Sequence, residues 1–132
     1  MKIRHHWELE VYGMSVKAAM EIFDASKTFP KEEMYSLTDQ MRRSSRAVSS
    51  ALGEAWRRRR YENVFLNKLN ESEGEAGETQ VWLEFAVKCG YLAASRGREL
   101  HRAYDQILGK LVVMLNNPTP WLLHKTTPHR DA

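Results

Sequence analysis

Seven arginines fall between residues 42 and 60: Arg42, Arg43, Arg46 and the run Arg57, Arg58, Arg59, Arg60. Arginine grips a phosphate with a planar fork and stays charged at any relevant pH. Along one helix such residues contact successive phosphates of a nucleic acid. Arg42 and Arg46 are four apart and share a helix face; Gly53 and Arg57 extend roughly the same line. Trp56 and Tyr61 flank the run, and their rings could stack on unpaired bases. A second reading stands beside this one. Cations at a helix C-terminus complement its dipole. Downstream, Glu62, Glu71, Glu73, Glu75, Glu78 and Glu84 could pair with the arginines within or between subunits.

Other chemistries fit the residues less well. Glu71, Glu75 and Glu78 share a helix face, as the carboxylates of di-metal bundles do. Those bundles also need a Glu-x-x-His pair on each of two helices, and no His follows a Glu by three here. His101 is the only histidine inside a predicted helix; His5, His6, His124 and His129 lie near the two ends. Cys89, on an aromatic line beside Gly90, reads as a buried, inert thiol. There is no Gly-rich phosphate loop, nucleophile elbow or His-Glu-x-x-His. The expectation is a binding protein that is not an enzyme, with no cofactor and no metal.

Helices must position these residues. Four segments repeat apolar residues at steps of three and four. The first runs through Leu9, Tyr12, Val16, Ala19 and Phe23, broadened by Ile22 and Phe29. Phe29-Pro30 stops it, and Pro30 suits the opening of the next. The second seam is Met34, Leu37, Met41, Ser44, Val48, Ala51, Ala55, rich in small neighbours that admit a close partner helix. The third is Phe65, Leu69, Ser72, Ala76, Thr79, Leu83, Ala86, with Gly90 placed to end it. The fourth is Leu100, Tyr104, Ile107 or Leu108, Leu111, Leu115, closed by Asn116-Asn117-Pro118. The predicted helices span about 9–28, 31–59, 62–89 and 95–116, within a bundle of residues 1–117. Residues 118–132 form a tail, loosely held or docked. The simplest way to bury four such stripes is an all-α, antiparallel up-down-up-down four-helix bundle.

Composition agrees with this economy of elements. With 132 residues the chain is one domain, and 7 Gly and 4 Pro are too few for the turns of a sandwich or barrel. One Cys excludes a disulfide framework. No apolar run approaches a bilayer span of ~20 residues. The first residues lack the apolar stretch of a signal peptide, so the expected location is the cytoplasm and no membrane partner is expected. The net charge of +3 is unevenly spread: residues 31–60 carry eight bases and four acids, residues 61–90 two bases and six acids. Such a polarised surface seeks a charged partner or another copy of itself. Apolar residues also exceed one stripe per helix. Trp82, Phe85 and Cys89 leave the third seam and Trp56 borders the second, which points to a subunit interface.

Particular runs also suggest a family. Phe29-Pro30 is followed by Tyr35, Leu37, Gln40, Arg42 and Arg43; Gly53-Glu54-Ala55-Trp56-Arg57 and then Tyr61-Glu62, Phe65, Lys68-Leu69, Glu73, Glu75, Glu78-Thr79-Gln80, Trp82-Leu83 and Cys89-Gly90-Tyr91 complete the pattern. This resembles the bacterial 23S rRNA intervening-sequence proteins over about residues 8–115. The resemblance implies a four-helix bundle that assembles as a homopentamer, without enzymatic activity. It further implies relatives that are accessory proteins of diversity-generating retroelements and engage nucleic acid and a reverse transcriptase. Two positions depart from the pattern: Ala51 stands where many members have Asn, and Ala55 replaces the Gly of an Ala-Glu-Gly motif. The residues and the resemblance together predict an oligomeric module that presents its arginines to nucleic acid, leaning to RNA. The alternative is a protein-interaction scaffold or accessory subunit whose arginines are consumed in salt bridges.

Overall fold

The computed structural model describes residues 3–123, and His124 and His129 lie outside them. The described residues form four α-helices: α1 (Glu10–Ser26), α2 (Leu37–Arg57), α3 (Glu62–Lys88) and α4 (Ala94–Asn116). Short 3-10 turns at His6–Glu8, Lys31–Glu33 and Thr119–Trp121 precede, link and follow them. Among the described residues there is no strand.

Cross-helix bonds fix the topology. Ser15 meets Ser49 and Ser26 meets Arg42, so α1 and α2 run antiparallel. Ser44 meets Thr79 and Ser72 meets Val48, so α2 and α3 do too. Gln80 reaches His101 and Asp105 on α4. Glu21–Arg96 and Glu10–Lys110 then close α4 onto α1. The result is an up-down-up-down four-helix bundle.

The α3 seam lies as the periodicity predicts: Phe65, Leu69, Ser72, Ala76, Thr79, Leu83 and Ala86 are its buried residues. The α1 seam is displaced. Val11, Ser15, Ala18, Ile22 and Ser26 are buried, whereas Val16 is exposed and Tyr12, Ala19 and Phe23 are half-buried. A hydropathy stripe cannot see a serine as core. Here Ser15 Oγ bonds the Tyr12 carbonyl at 2.7 Å and Ser49 Oγ at 2.8 Å, so its burial leaves nothing unpaired. On α4, Ile107 and Met114 face inward and Leu108 and Leu115 lie half-buried beside them.

The second helix starts six residues later than predicted, at Leu37 rather than Lys31. Pro30 does open a helical turn, but a 3-10 one. Glu33 interrupts it: its carboxylate accepts from Ser36 Oγ at 2.8 Å and from the Leu37 N–H at 3.4 Å, capping the new helix. Tyr91 Oη donates to the same carboxylate at 2.8 Å. These bonds hold Glu33 below its usual carboxylate range, the Tyr91 bond foremost, and the Tyr91 phenol is pushed up to about 12, chiefly by that bond. Their stabilisation is therefore present above the ordinary carboxylate range and is lost as pH falls through the lowered one. Met34, predicted for the seam, is thrown outward with Tyr35, which is 90% exposed.

The α3–α4 link is a Schellman turn. Gly90 takes φ +78°, with Tyr91 N–H to the Ala86 carbonyl at 2.9 Å and Gly90 N–H to Val87 at 3.0 Å. Gly97 permits a close approach of α4 to α3, since a Cβ there would lie 2.4 Å from Val87 Cγ2. The α2–α3 contact is likewise built of short side chains. Replacing Ser44 by Ala should cost about 1 kcal/mol, one hydrogen bond. Ser44→Leu should cost about 1–3 kcal/mol or more by overpacking. Urea midpoints check this, and a Leu variant as stable as the wild type would mean the seam has room to spare.

Candidate nucleic-acid interface

The seven arginines occupy two sites. At the N-terminal half of α2, Arg42 Nε donates to Ser26 Oγ at 2.8 Å, and its guanidinium lies 4.7 Å from the Phe23 ring centroid. Arg46 lies over the same ring at 5.8 Å. Arg43 turns to the other side, donating to Gln40 Oε1 at 2.8 Å. The three line an open groove with Met34, Tyr35 and Asp39. Between the two sites the shared line passes under other parts of the chain: Ser49 bonds Ser15, and the His6 ring rests against Gly53.

The second site is the far end of α2. Arg57, Arg58 and Arg60 are exposed. Arg59 is not a free cation: it lies 3.8 Å from the Trp56 ring centroid and donates to the Trp56 carbonyl at 2.6 Å. It thus closes a helix that lacks a terminal glycine. Partial burial, and then the charge of Arg57, lower its pKa from the ordinary arginine value. This capping role went unread in the sequence, where a run of four identical side chains gives no sign which of them folds back.

Trp56 corrects the predicted subunit interface. It is 3% exposed, and its Nε1 donates to the Arg4 carbonyl at 3.0 Å. The segment before α1 crosses the last turn of α2 and seals the indole, so neither a partner nor a base reaches its face. Trp82, Phe85 and Cys89 differ. Trp82 is half-buried, Phe85 is 51% exposed, and Cys89 is exposed rather than buried, because it caps the C-terminus of α3. They line a second groove with Tyr35, Leu37 and Gln40. Tyr61, the other predicted stacking ring, is exposed at the start of α3.

The acidic face of α3 does not absorb the arginines. Among the described residues, Glu71 pairs with Lys68 at 3.1 Å, and none of the seven arginines forms an ion pair. Lys68 also meets Glu54 at 3.3 Å, and these two carboxylates raise its pKa. One oxygen each of Glu75 and Glu78, and Trp82 Nε1, are buried without a hydrogen-bond partner among the described residues. Positions 75, 78 and 82 follow one another along a single face of α3. Burial, and then the charge of Glu78, push the Glu75 carboxyl above its usual range despite the opposing charge of Arg43. Among the described residues no three of His, Cys, Asp and Glu come together as metal ligands. No described helix is long and apolar enough to cross a membrane.

An antiparallel bundle with a basic helix beside an acidic one defines a small all-helical protein with a polarised surface. The chain belongs to the family of 23S rRNA-intervening sequence proteins, whose pattern matches residues 7–113. A solved structure shares its fold: a protein of unknown function from the S23 ribosomal protein family of Bacteroides thetaiotaomicron, with TM-score 0.74. It is 23% identical, the match covering 81% of this chain and 99% of that one. No curated protein matches the chain.

The acidic face yields a pH prediction. A raised folded-state pKa means that ionised Glu75 destabilises the isolated chain above that pKa, and the effect vanishes below the ordinary carboxylate range, where folded and unfolded chains are both protonated. Glu75→Gln should therefore stabilise the isolated chain at neutral pH, by no more than about 1 kcal/mol because the carboxyl is only partly buried. The gain should fade as pH drops. Thermal melts across pH 4–7 check this, and a Gln variant that is less stable at neutral pH would reveal a cation paired to Glu75.

Proposed function

We propose that the protein is a non-enzymatic, self-associating module that binds nucleic acid, RNA in preference to DNA, through Arg42, Arg43, Arg46, Arg57, Arg58 and Arg60. The observation that carries this reading is that, among the described residues, these cations form no ion pair while acids stand on the adjacent helix. Unpaired guanidinium groups in an open groove and at a helix end suit phosphate contacts that neutralise charge and release counterions. The family's description, which refers to an intervening sequence of 23S rRNA, favours RNA. Self-association is supported by the apolar groove of Tyr35, Trp82, Phe85 and Cys89, whose exposed rings gain little in water. A homopentamer is the assembly the family resemblance suggests.

A second reading has its own observation. The buried, unpartnered oxygens of Glu75 and Glu78 and the indole N–H of Trp82 are groups that burial penalises. A neighbouring copy or an accessory partner, such as a reverse transcriptase, that laid cations against the half-buried Glu75 and Glu78 would relieve the penalty on their charged forms. The protein is then a scaffold whose arginines serve assembly.

Arg57→Gln, Arg58→Gln and Arg60→Gln together separate the two. Arg59 is kept because it closes α2. Under the nucleic-acid reading, binding of fluorescent single-stranded RNA weakens with the assembly intact. The log–log salt slope falls by up to about 2, since each lost phosphate contact on a single strand removes ~0.7. Unchanged RNA binding would exclude this end of α2 from the site, and a collapse of the assembly by light scattering would favour the scaffold.

A further inference from the structure

The turn ahead of α1 holds an aromatic arrangement that the nucleic-acid reading has not used. The Trp7 ring lies parallel to the His5 ring, with centroids 4.2 Å apart and planes 4° from coincidence. Trp7 is nonetheless 61% exposed, and His5 is exposed beside it. An indole stacked on a solvent-facing imidazole gains little from burial. Its flat pair has the form of a platform to which another flat ring can be added.

The platform is rigidly based. His6 packs edge-on against Trp7 at 5.1 Å and against Tyr12 at 4.8 Å. The turn is closed by Glu8 N–H to the His5 carbonyl and Leu9 N–H to the His6 carbonyl, both at 3.0 Å. The Glu8 carboxylate accepts from the His5 N–H at 3.2 Å. Leu9 is buried, and Arg4 is tied by its carbonyl to Trp56. Little conformational freedom remains to be lost when a ligand stacks.

Its position matters as much. His6 rests on Gly53, and Arg57 lies one helical turn further along the same face of α2. The side chains of Arg4, Arg57 and Arg58 are exposed at this end of the bundle. Flat rings beside a cluster of cations are the combination that single-stranded nucleic acid uses: cations on the phosphates, rings under the bases. A duplex keeps its bases inside and cannot exploit the rings.

We propose that the His5–Trp7 pair is a stacking platform for an unpaired base, so that the arginine end of the bundle selects single-stranded RNA over duplex. This rests on the nucleic-acid reading above and names its substrate class. The test uses the full chain, with anisotropy of a labelled 12-nucleotide RNA, unpaired or annealed to its complement. Trp7→Ala should weaken binding of the single strand by about tenfold, in the range of one lost stack, and change duplex binding less than about twofold. Its salt slope should stay that of the wild type, because a stack releases no counterion. Trp7→Phe should restore most of the single-strand binding, and quenching of tryptophan fluorescence by the single strand should shrink in that variant. If the wild type binds RNA but Trp7→Ala binds both probes as the wild type does, or weakens both equally, the platform is overturned alone. If the wild type binds neither probe even at low salt, the nucleic-acid reading falls and the platform with it.

Discussion

Between α2 and α3 the inward side chains are short and several carry hydroxyls. Ser44 and Thr79 share a hydrogen bond of 2.8 Å, and Ser72 donates to the Val48 carbonyl at 2.9 Å. Thr79 also donates to the Glu75 carbonyl at 2.9 Å, so the hydroxyls of Ser44, Ser72 and Thr79 are all engaged where water does not reach. Left unpaired, each would cost about 1–3 kcal/mol. Paired, they let two helices lie close across Ala51 and Ala76. That closeness governs what surrounds it. The middle of the seam is filled by small residues, so the large buried rings sit at its end, Trp56 in the last turn of α2 and Phe65 in the first turn of α3, while Trp82 and Phe85 lie beside the seam on the outer face of α3.

The same constraint sorts the charges. With its inner face apolar or hydroxyl-bearing throughout, α2 carries its long charged side chains on its flanks. Arg42 and Arg46 fall on the α1 flank and rest on Phe23, a ring that gives two neighbouring cations a favourable surface without neutralising them. Arg43 falls on the α3 flank and feels Glu75. It forms no ion pair with the acids of α3 among the described residues. Opposite charges thus stand on adjacent helices without cancelling.

The bundle was legible in the sequence because α3 repeats strictly and Gly90 marks its end. The family was legible because its motif residues lie along α2 and α3 and in the turns that begin and end them. The α1 seam was not, because Ser15 and Ser26 are core residues only by virtue of partners on α2 that periodicity cannot show. The start of α2 was misplaced because Glu33, a good first-turn acid, uses its carboxylate to cap a helix that begins four residues further on. Of the candidate site, the arginines were legible as a set. Their division into two groups was not, since it depends on the segment before α1 lying across Gly53 and Trp56. That crossing removed Trp56 from the surface and brought Trp7 to it, a long-range contact that no local pattern encodes.

The arginines stand in two separate places on the chain, and on the proposed function that leaves room for an assembly at one and a nucleic acid at the other. Arg43 and the apolar groove lie around the α2–α3 flank, next to the unpartnered carboxylates. Arg57, Arg58 and Arg60 lie at the end of the bundle, away from that flank. In a cyclic assembly formed through the flanks, rotation about the ring axis carries each copy's end to the same height. The arginine ends then form one rim. A strand held by one copy is presented to the next at high effective concentration, so weak contacts at single ends add up to tight binding without any new contact. If such a ring forms, cations and acids that stand side by side without ion pairs among the described residues become complementary surfaces between neighbouring copies.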